Sequence, residues 1–136
     1  MRGIREGGCS CGAARYQMDL TDAETGNCHC RDCQKQSGAP FATVITVKAD
    51  QFKWLKQPEG ETSVSDAAIR RFCNKCGTPL QWCGVDYTDI ANINMTTLDD
   101  TSGIDIVYEI YTRSRVAGIL PVKGAAQSMA GYADLK

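Results

Sequence analysis

Residues 28–33 read Cys28-His29-Cys30-Arg31-Asp32-Cys33, three cysteines in six positions. Two companion groups flank them: Cys9-Ser10-Cys11 with Gly12 behind it, and Cys73-Asn74-Lys75-Cys76 with Gly77 behind it. Seven of the eight cysteines thus fall into three tight groups, arranged two, three, two along 136 residues. Spacing of this kind suits a metal. Zinc takes four thiolates at about 2.3 Å, and in a C-x-x-C knuckle two sulfurs turn toward one ion while a following glycine relieves the tight backbone. In a C-x-C on extended chain, residues i and i+2 point to one side and can also share an ion. One pair cannot close a site. The arrangement reads as two outer pairs combining into a closed site, with Cys28, Cys30 and Cys33 left as a site whose fourth position is open. A fourth ligand from Cys83 or His29 would instead close the second site, and cysteine pairs also serve as redox dithiols. His29, between two ligands, should turn its side chain away from the metal, toward a supporting role behind the ligands, a proton-transfer role or solvent. Cys83 follows Trp82 in an apolar strand and reads as a small buried hydrophobe.

Composition narrows the setting. The length fits a single domain over residues 1–136, its core at about 3–122 and a weakly patterned tail at 123–136. A hydrophobic fraction of 43% and a charged fraction of 23% are those of a soluble globule. A net charge of -1 offers no broad attraction for nucleic acid or an anionic membrane. Eight cysteines would suit a disulfide frame in a secreted protein or metal ligation in a cytoplasmic one. Residues 1–10 carry Arg2, Arg5 and Glu6 and no apolar run, and no stretch is long and apolar enough for a membrane span. The expected setting is therefore cytoplasmic, and metal is the leading use of the thiols. Oligomeric state leaves no mark in the sequence.

The rest of the chain has period two. Ala14, Tyr16, Met18 and Leu20 alternate with polar residues, as do Ala91, Ile93 and Met95, while Phe52 and Trp54 flank Lys53. Residues 104–110 continue the pattern through Ile104, Ile106, Tyr108 and Ile110. Each run predicts a strand with one face on a core. Residues 41–47 are apolar or β-branched throughout and predict a strand covered on both faces. Turns are expected at Gly7-Gly8, Thr25-Gly26-Asn27, Gly38, Pro58-Glu59-Gly60, Asp99-Asp100 and Ser102-Gly103. The one helical candidate is the turn Arg31–Ser37, closed by Gly38. The fold class is mainly β.

Residues 7–16 (GGCSCGAARY), 28–41 (CHCRDCQKQSGAPF) and 71–80 (RFCNKCGTPL) together resemble the signatures of the glutathione-dependent formaldehyde-activating enzyme and centromere protein V family. The resemblance implies several coiled antiparallel sheets, a β-tent stapled by zinc. It implies one structural zinc on Cys9, Cys11, Cys73 and Cys76, and a second, catalytic and labile zinc on Cys28, Cys30 and Cys33. It further implies a carbon–sulfur lyase that adds glutathione reversibly to formaldehyde, giving S-(hydroxymethyl)glutathione.

Three thiolates give the open unit a negative charge, so zinc there is a weak Lewis acid toward carbonyls but a soft acceptor for a fourth sulfur. The expected partner is a small-molecule thiol, held as thiolate, that adds to or leaves an aldehyde. His29, Ser37 or a water would move the proton, and Arg31, Arg70, Arg71, Arg113 or Arg115 would meet carboxylates of a glutathione-like thiol. Two competing readings stand beside this one. The first is a non-catalytic, zinc-stabilised binding module on the same scaffold. The second is a thiol reductase, since Arg71-Phe72-Cys73-Asn74 resembles the active-site segment of B-type methionine sulfoxide reductases, although Cys73 lies inside its own C-x-x-C.

Overall fold

The structure is a computed structural model and describes residues 3–135. Met1, Arg2 and Lys136, which the single-domain reading includes, lie outside the described residues. Two sheets carry the chain. The smaller joins β1 (Ile4–Gly8), β2 (Arg15–Asp19) and β5 (Phe52–Lys56) in that order. The larger contains β3 (Glu24–Cys28), β4 (Ala42–Lys48), β6 (Gly60–Ser65), β7 (Ala68–Phe72), β8 (Pro79–Gly84), β9 (Ile90–Asn94), β10 (Tyr108–Ile110) and β11 (Ala126–Gln127). Its spatial order is β11-β10-β3-β4-β9-β8-β7-β6. The fold class is mainly β, with one α-helix, α1 (Arg31–Ser37), among the described residues. The helix ends where Gly38 turns to φ 65°, a left-handed cap that glycine adopts without a Cβ penalty.

The core lies between the two sheets. Tyr16 and Met18 of β2 alternate inward with the half-buried Arg15, Gln17 and Asp19, so the period-two pattern is realised. They meet Ile45 and Val47 of β4 and Ala91 and Ile93 of β9, with Leu20, Leu80 and Leu98 closing the edges. Tyr16, Phe52 and Trp54 form an aromatic cluster with centroids 5.0–6.0 Å apart, two pairs edge-to-face. The Tyr16 hydroxyl, which would be costly to bury alone, pairs with Thr97 Oγ1 at 2.8 Å.

Several expectations need correction. The second face of β4, with Ala42, Val44 and Thr46, is half-buried rather than sealed. Only residues 108–110 of the 104–110 run form a strand, and it pairs in parallel with both β3 and β11, so the larger sheet is mixed. Gly7-Gly8 and Gly26 are strand positions, not turns. A side chain at Gly7 would meet the Tyr16 hydroxyl and Thr97 O, and one at Gly26 would enter the Tyr108 ring. These glycines let aromatic rings lie directly on the backbone.

Replacing Gly26 by Ala should therefore lower stability by about 1–3 kcal/mol through overpacking against Tyr108. Urea unfolding checks this; an unchanged midpoint would contradict the close ring contact.

Candidate metal centre

Two groups of sulfurs converge in the folded chain. The Sγ atoms of Cys9, Cys11, Cys73 and Cys76 lie within 4.8 Å of one another, and so do those of Cys28, Cys30 and Cys33. Cys9 and Cys11 stand 3.6 Å apart, and Cys11 and Cys73 3.7 Å. A zinc tetrahedron with bonds of about 2.3 Å has edges of about 3.8 Å, whereas a disulfide measures about 2.0 Å. All eight cysteines are free. The donor set fits a thiophilic cation.

The quartet is built from two similar loops. Gly12 follows Cys11 at φ 82° and Gly77 follows Cys76 at φ 83°, conformations that favour glycine. Their amides bond back to Cys9 O at 3.2 Å and Cys73 O at 2.7 Å. The Ala14 amide donates to Cys9 Sγ at 3.2 Å. Thr78 ties the loops together, its Oγ1 accepting from the Ser10 amide at 3.2 Å and lying 3.2 Å from Cys76 Sγ. The Thr78 hydroxyl and amide hold the Cys76 thiol down at about 5, toward the thiolate form that binds metal. Cys9 and Cys73 are buried, while Cys11 and Cys76 face outward.

The triple sits where β3 gives way to α1. Cys28 ends the strand, and Cys30 caps the helix, its Sγ accepting the Cys33 amide at 3.2 Å. All three are half-buried. No fourth Cys, His, Asp or Glu ligand joins them among the described residues. Contacts from Cys28 and Cys33 hold Cys30 down at about 2, and the same cluster together with burial drives Cys28 far above the ordinary thiol range. Alone, the three sulfurs favour a single negative charge; three thiolates side by side need a cation. Cys83 lies in β8 outside both groups, half-buried, its thiol pushed up chiefly by burial.

His29 is not solvent-exposed. It has 0% exposure and packs against Phe41 with centroids 5.2 Å apart. Its Nε2 lies 2.8 Å from Oε1 of Glu109, itself 1% exposed. Glu109 also accepts from Asn27 at 3.2 Å, from Gln127 and the Val122 amide at 2.9 Å each, and from Arg115 at 3.4 Å. Burial alone would raise this carboxyl; the donors outweigh it and hold it at about 2. An ionised Glu109 only accepts, so His29 Nε2 carries the proton and donates. Sequence reasoning passed over Glu109, whose only signal was an acid inside the 104–110 run.

Cys33 opens onto a cleft of about 320 Å³ walled also by Ser37, Arg70, Arg71, Trp82 and Asn94. A second cleft of about 310 Å³ shares Ser37, Ala42, Pro79 and Asn94 with it and extends to Thr78, beside the quartet. His29 is on neither wall. Of the five arginines considered, Arg70 stands in this cleft with its charge acting on Cys30 and Cys33. Arg71 also lines it but pairs with Glu61 at 2.8 Å. Arg31 bonds Gln34 at 2.6 Å, Arg113 lies over the Tyr111 ring, and Arg115 turns to Glu109.

With this geometry in view, the sequence model of the glutathione-dependent formaldehyde-activating enzyme family matches residues 4–114. The chain belongs to this family. It is 29% identical over 89 residues to an uncharacterized lyase of Schizosaccharomyces pombe, a match covering 64% of this chain and 61% of that protein. The match thus spans less than two thirds of the relative's length. A crystal structure of a Rhodobacter sphaeroides protein superposes with a TM-score of 0.55 at 20% identity, covering 74% of this chain and 90% of that one. This likeness is one of fold. No helix among the described residues is long and apolar enough to cross a membrane.

The Glu109 network has a pH signature. Its folded value lies below the ordinary 4.5, so ionised Glu109 stabilises the fold above that pH, and the contribution is lost as pH falls toward about 2. Glu109→Gln should be less stable at neutral pH by on the order of 3 kcal/mol. The gap between the two proteins should narrow in acid. A gap independent of pH, read by denaturant titration, would contradict this electrostatic role.

Proposed function

We propose that the chain is a zinc-dependent carbon–sulfur lyase that joins a small, glutathione-like thiol to an aldehyde such as formaldehyde, and reverses that step. The observation that carries the reading is a three-sulfur group, without a fourth ligand among the described residues, placed at the wall of a cleft. Family membership and the relative named as a lyase support the reaction class. Cys28, Cys30 and Cys33 would hold one zinc, and Cys9, Cys11, Cys73 and Cys76 a second, structural one. Zinc bound to three thiolates supplies a soft position that takes a thiol sulfur and keeps it ionised.

The chain's own residues do the rest. Arg70, at the cleft beside Cys33, offers a guanidinium to a carboxylate of the thiol, and Trp82 gives an apolar wall. In the forward direction a carbon–sulfur bond forms as the carbonyl π bond opens, and the proton lost by the thiol ends on the new hydroxyl. Ser37 lines both clefts and is the candidate side chain for moving that proton, with water the other carrier. His29 is sealed behind the triple and donates to Glu109, which removes it from that task. The cytoplasm is the setting that fits reduced thiols of this kind.

Replacing Cys30 by Ala should abolish glutathione binding and hydroxymethyl transfer while leaving one zinc per chain on the outer cysteines. Calorimetry and elemental analysis read this directly, and an unchanged thiol affinity would sink the reading. Arg70→Met should raise KM for the thiol about ten-fold or more with little change in kcat, the value of a lost charge-assisted hydrogen bond. An unaltered KM would remove Arg70 from substrate binding.

A further inference from the structure

The register of four neighbouring strands sets a row of polar side chains across the larger sheet. Thr43 of β4 stands opposite Asn27 of β3, Asn27 opposite Glu109 of β10, and Glu109 opposite Gln127 of β11. The row is bonded throughout: Thr43 Oγ1 donates to Asn27 Oδ1 at 2.7 Å, Asn27 Nδ2 to Glu109 Oε1 at 3.2 Å, and Gln127 Nε2 to Glu109 Oε2 at 2.9 Å. His29, two residues beyond Asn27, shares that face of the chain and donates to the same Glu109 oxygen. Its backbone amide is fixed as well, donating to Ile110 O at 3.0 Å. The flanking Cys28 and Cys30 project from the opposite face of the extended segment.

We infer that the His29–Glu109 pair is a positioning device for the Cys28, Cys30 and Cys33 metal site. An extended segment can roll about its own axis, and any roll at His29 swings the two flanking sulfurs together. Clamping the imidazole to a buried carboxylate, itself held by Asn27 and Gln127 from two other strands and by the Val122 amide, stops that roll. The sulfurs are then fixed before a metal arrives. His29 Nδ1 is buried without a protein partner, and Phe41 already supplies an apolar neighbour, so the imidazole's one directional contact is the bond from Nε2 to Glu109. The imidazole is there for its directional bond. Gln127 and Val122 lie beyond the family match at residues 4–114, so the C-terminal segment takes part in supporting the site.

The inference rests on reading the triple as a metal site, but its test does not use catalysis. Zinc-loaded wild type, His29→Phe and Glu109→Gln are equilibrated with a graded series of chelator, and zinc per chain is followed together with thermal unfolding. The step missing in Cys30→Ala marks the triple. The expected result is release from the triple at about 10- to 100-fold lower chelator strength in both variants, the usual cost of losing a supporting partner. Release from the outer quartet should stay unchanged, even where loss of a Glu109 contact lowers the unfolding temperature. Unchanged release from the triple overturns the inference, and so does weakening of both sites together, which would make the pair a general prop of the fold. If His29→Phe does not fold, Glu109→Gln, whose lower stability is expected, is read on release from the triple relative to the quartet. A wild-type chain carrying a single zinc overturns the metal reading of the triple and this inference with it.

Discussion

Thiolates crowded within van der Waals reach of one another repel, and only a cation between them makes such crowding favourable. The rest of the structure depends on that constraint. Cys9 and Cys11 belong to the loop that leaves β1 of the small sheet, and Cys73 and Cys76 to the loop between β7 and β8 of the large one. Contact between Cys11 and Cys73 spans 62 positions of sequence. An ion held there would tie the two sheets at a point where two of the four sulfurs are exposed and apolar burial has little to offer. The same knot sets the Gly77-Thr78-Pro79 segment, which walls the clefts reaching toward Cys33. Structure at one sulfur group thereby shapes the space in front of the other.

The triple uses the opposite arrangement. It lies at a strand-to-helix junction, half-buried, with a capped helix on one side and the hydrogen-bonded row around buried Glu109 behind it. A short strand of three residues brings Glu109 into that row, and its parallel pairing with β3 sets the carboxylate level with Asn27 and within reach of His29. Acceptor-only chemistry matters here: every neighbour of Glu109 is a donor, so an ionised carboxylate satisfies them all while a neutral amide would face one of them with its own hydrogens. The polar layer faces one way and the metal-binding layer the other. Between them runs a single extended segment.

Much of this was legible in the sequence because the signals were local. The C-x-C and C-x-x-C spacings with their following glycines marked the clusters, Gly38 marked the end of α1, and the alternation of Tyr16 and Met18 marked a strand with one buried face. What escaped depends on partners far along the chain. Gly26 looks like a turn residue until Tyr108, 82 positions later, lays its ring on it. Glu109 sits in an apolar run and reads as a surface acid, yet two of its partners, His29 and Asn27, are 80 and 82 positions away. His29 left solvent, proton transfer and a place supporting the ligands all open; burial closed the first, and the Glu109 bond turned it from the cleft. Parallel pairing of β10 has no local signature at all, since only the strand order reveals it.

The central claim is that the seven cysteines form one complete and one incomplete sulfur shell. Zinc per chain combined with a zinc-edge X-ray absorption spectrum, recorded with and without glutathione, tests it most directly. The account predicts two zincs per chain with an average of about 3.5 sulfur neighbours, rising toward about 4 when the thiol is added. One zinc per chain, or a full sulfur shell that does not respond to the thiol, would contradict it.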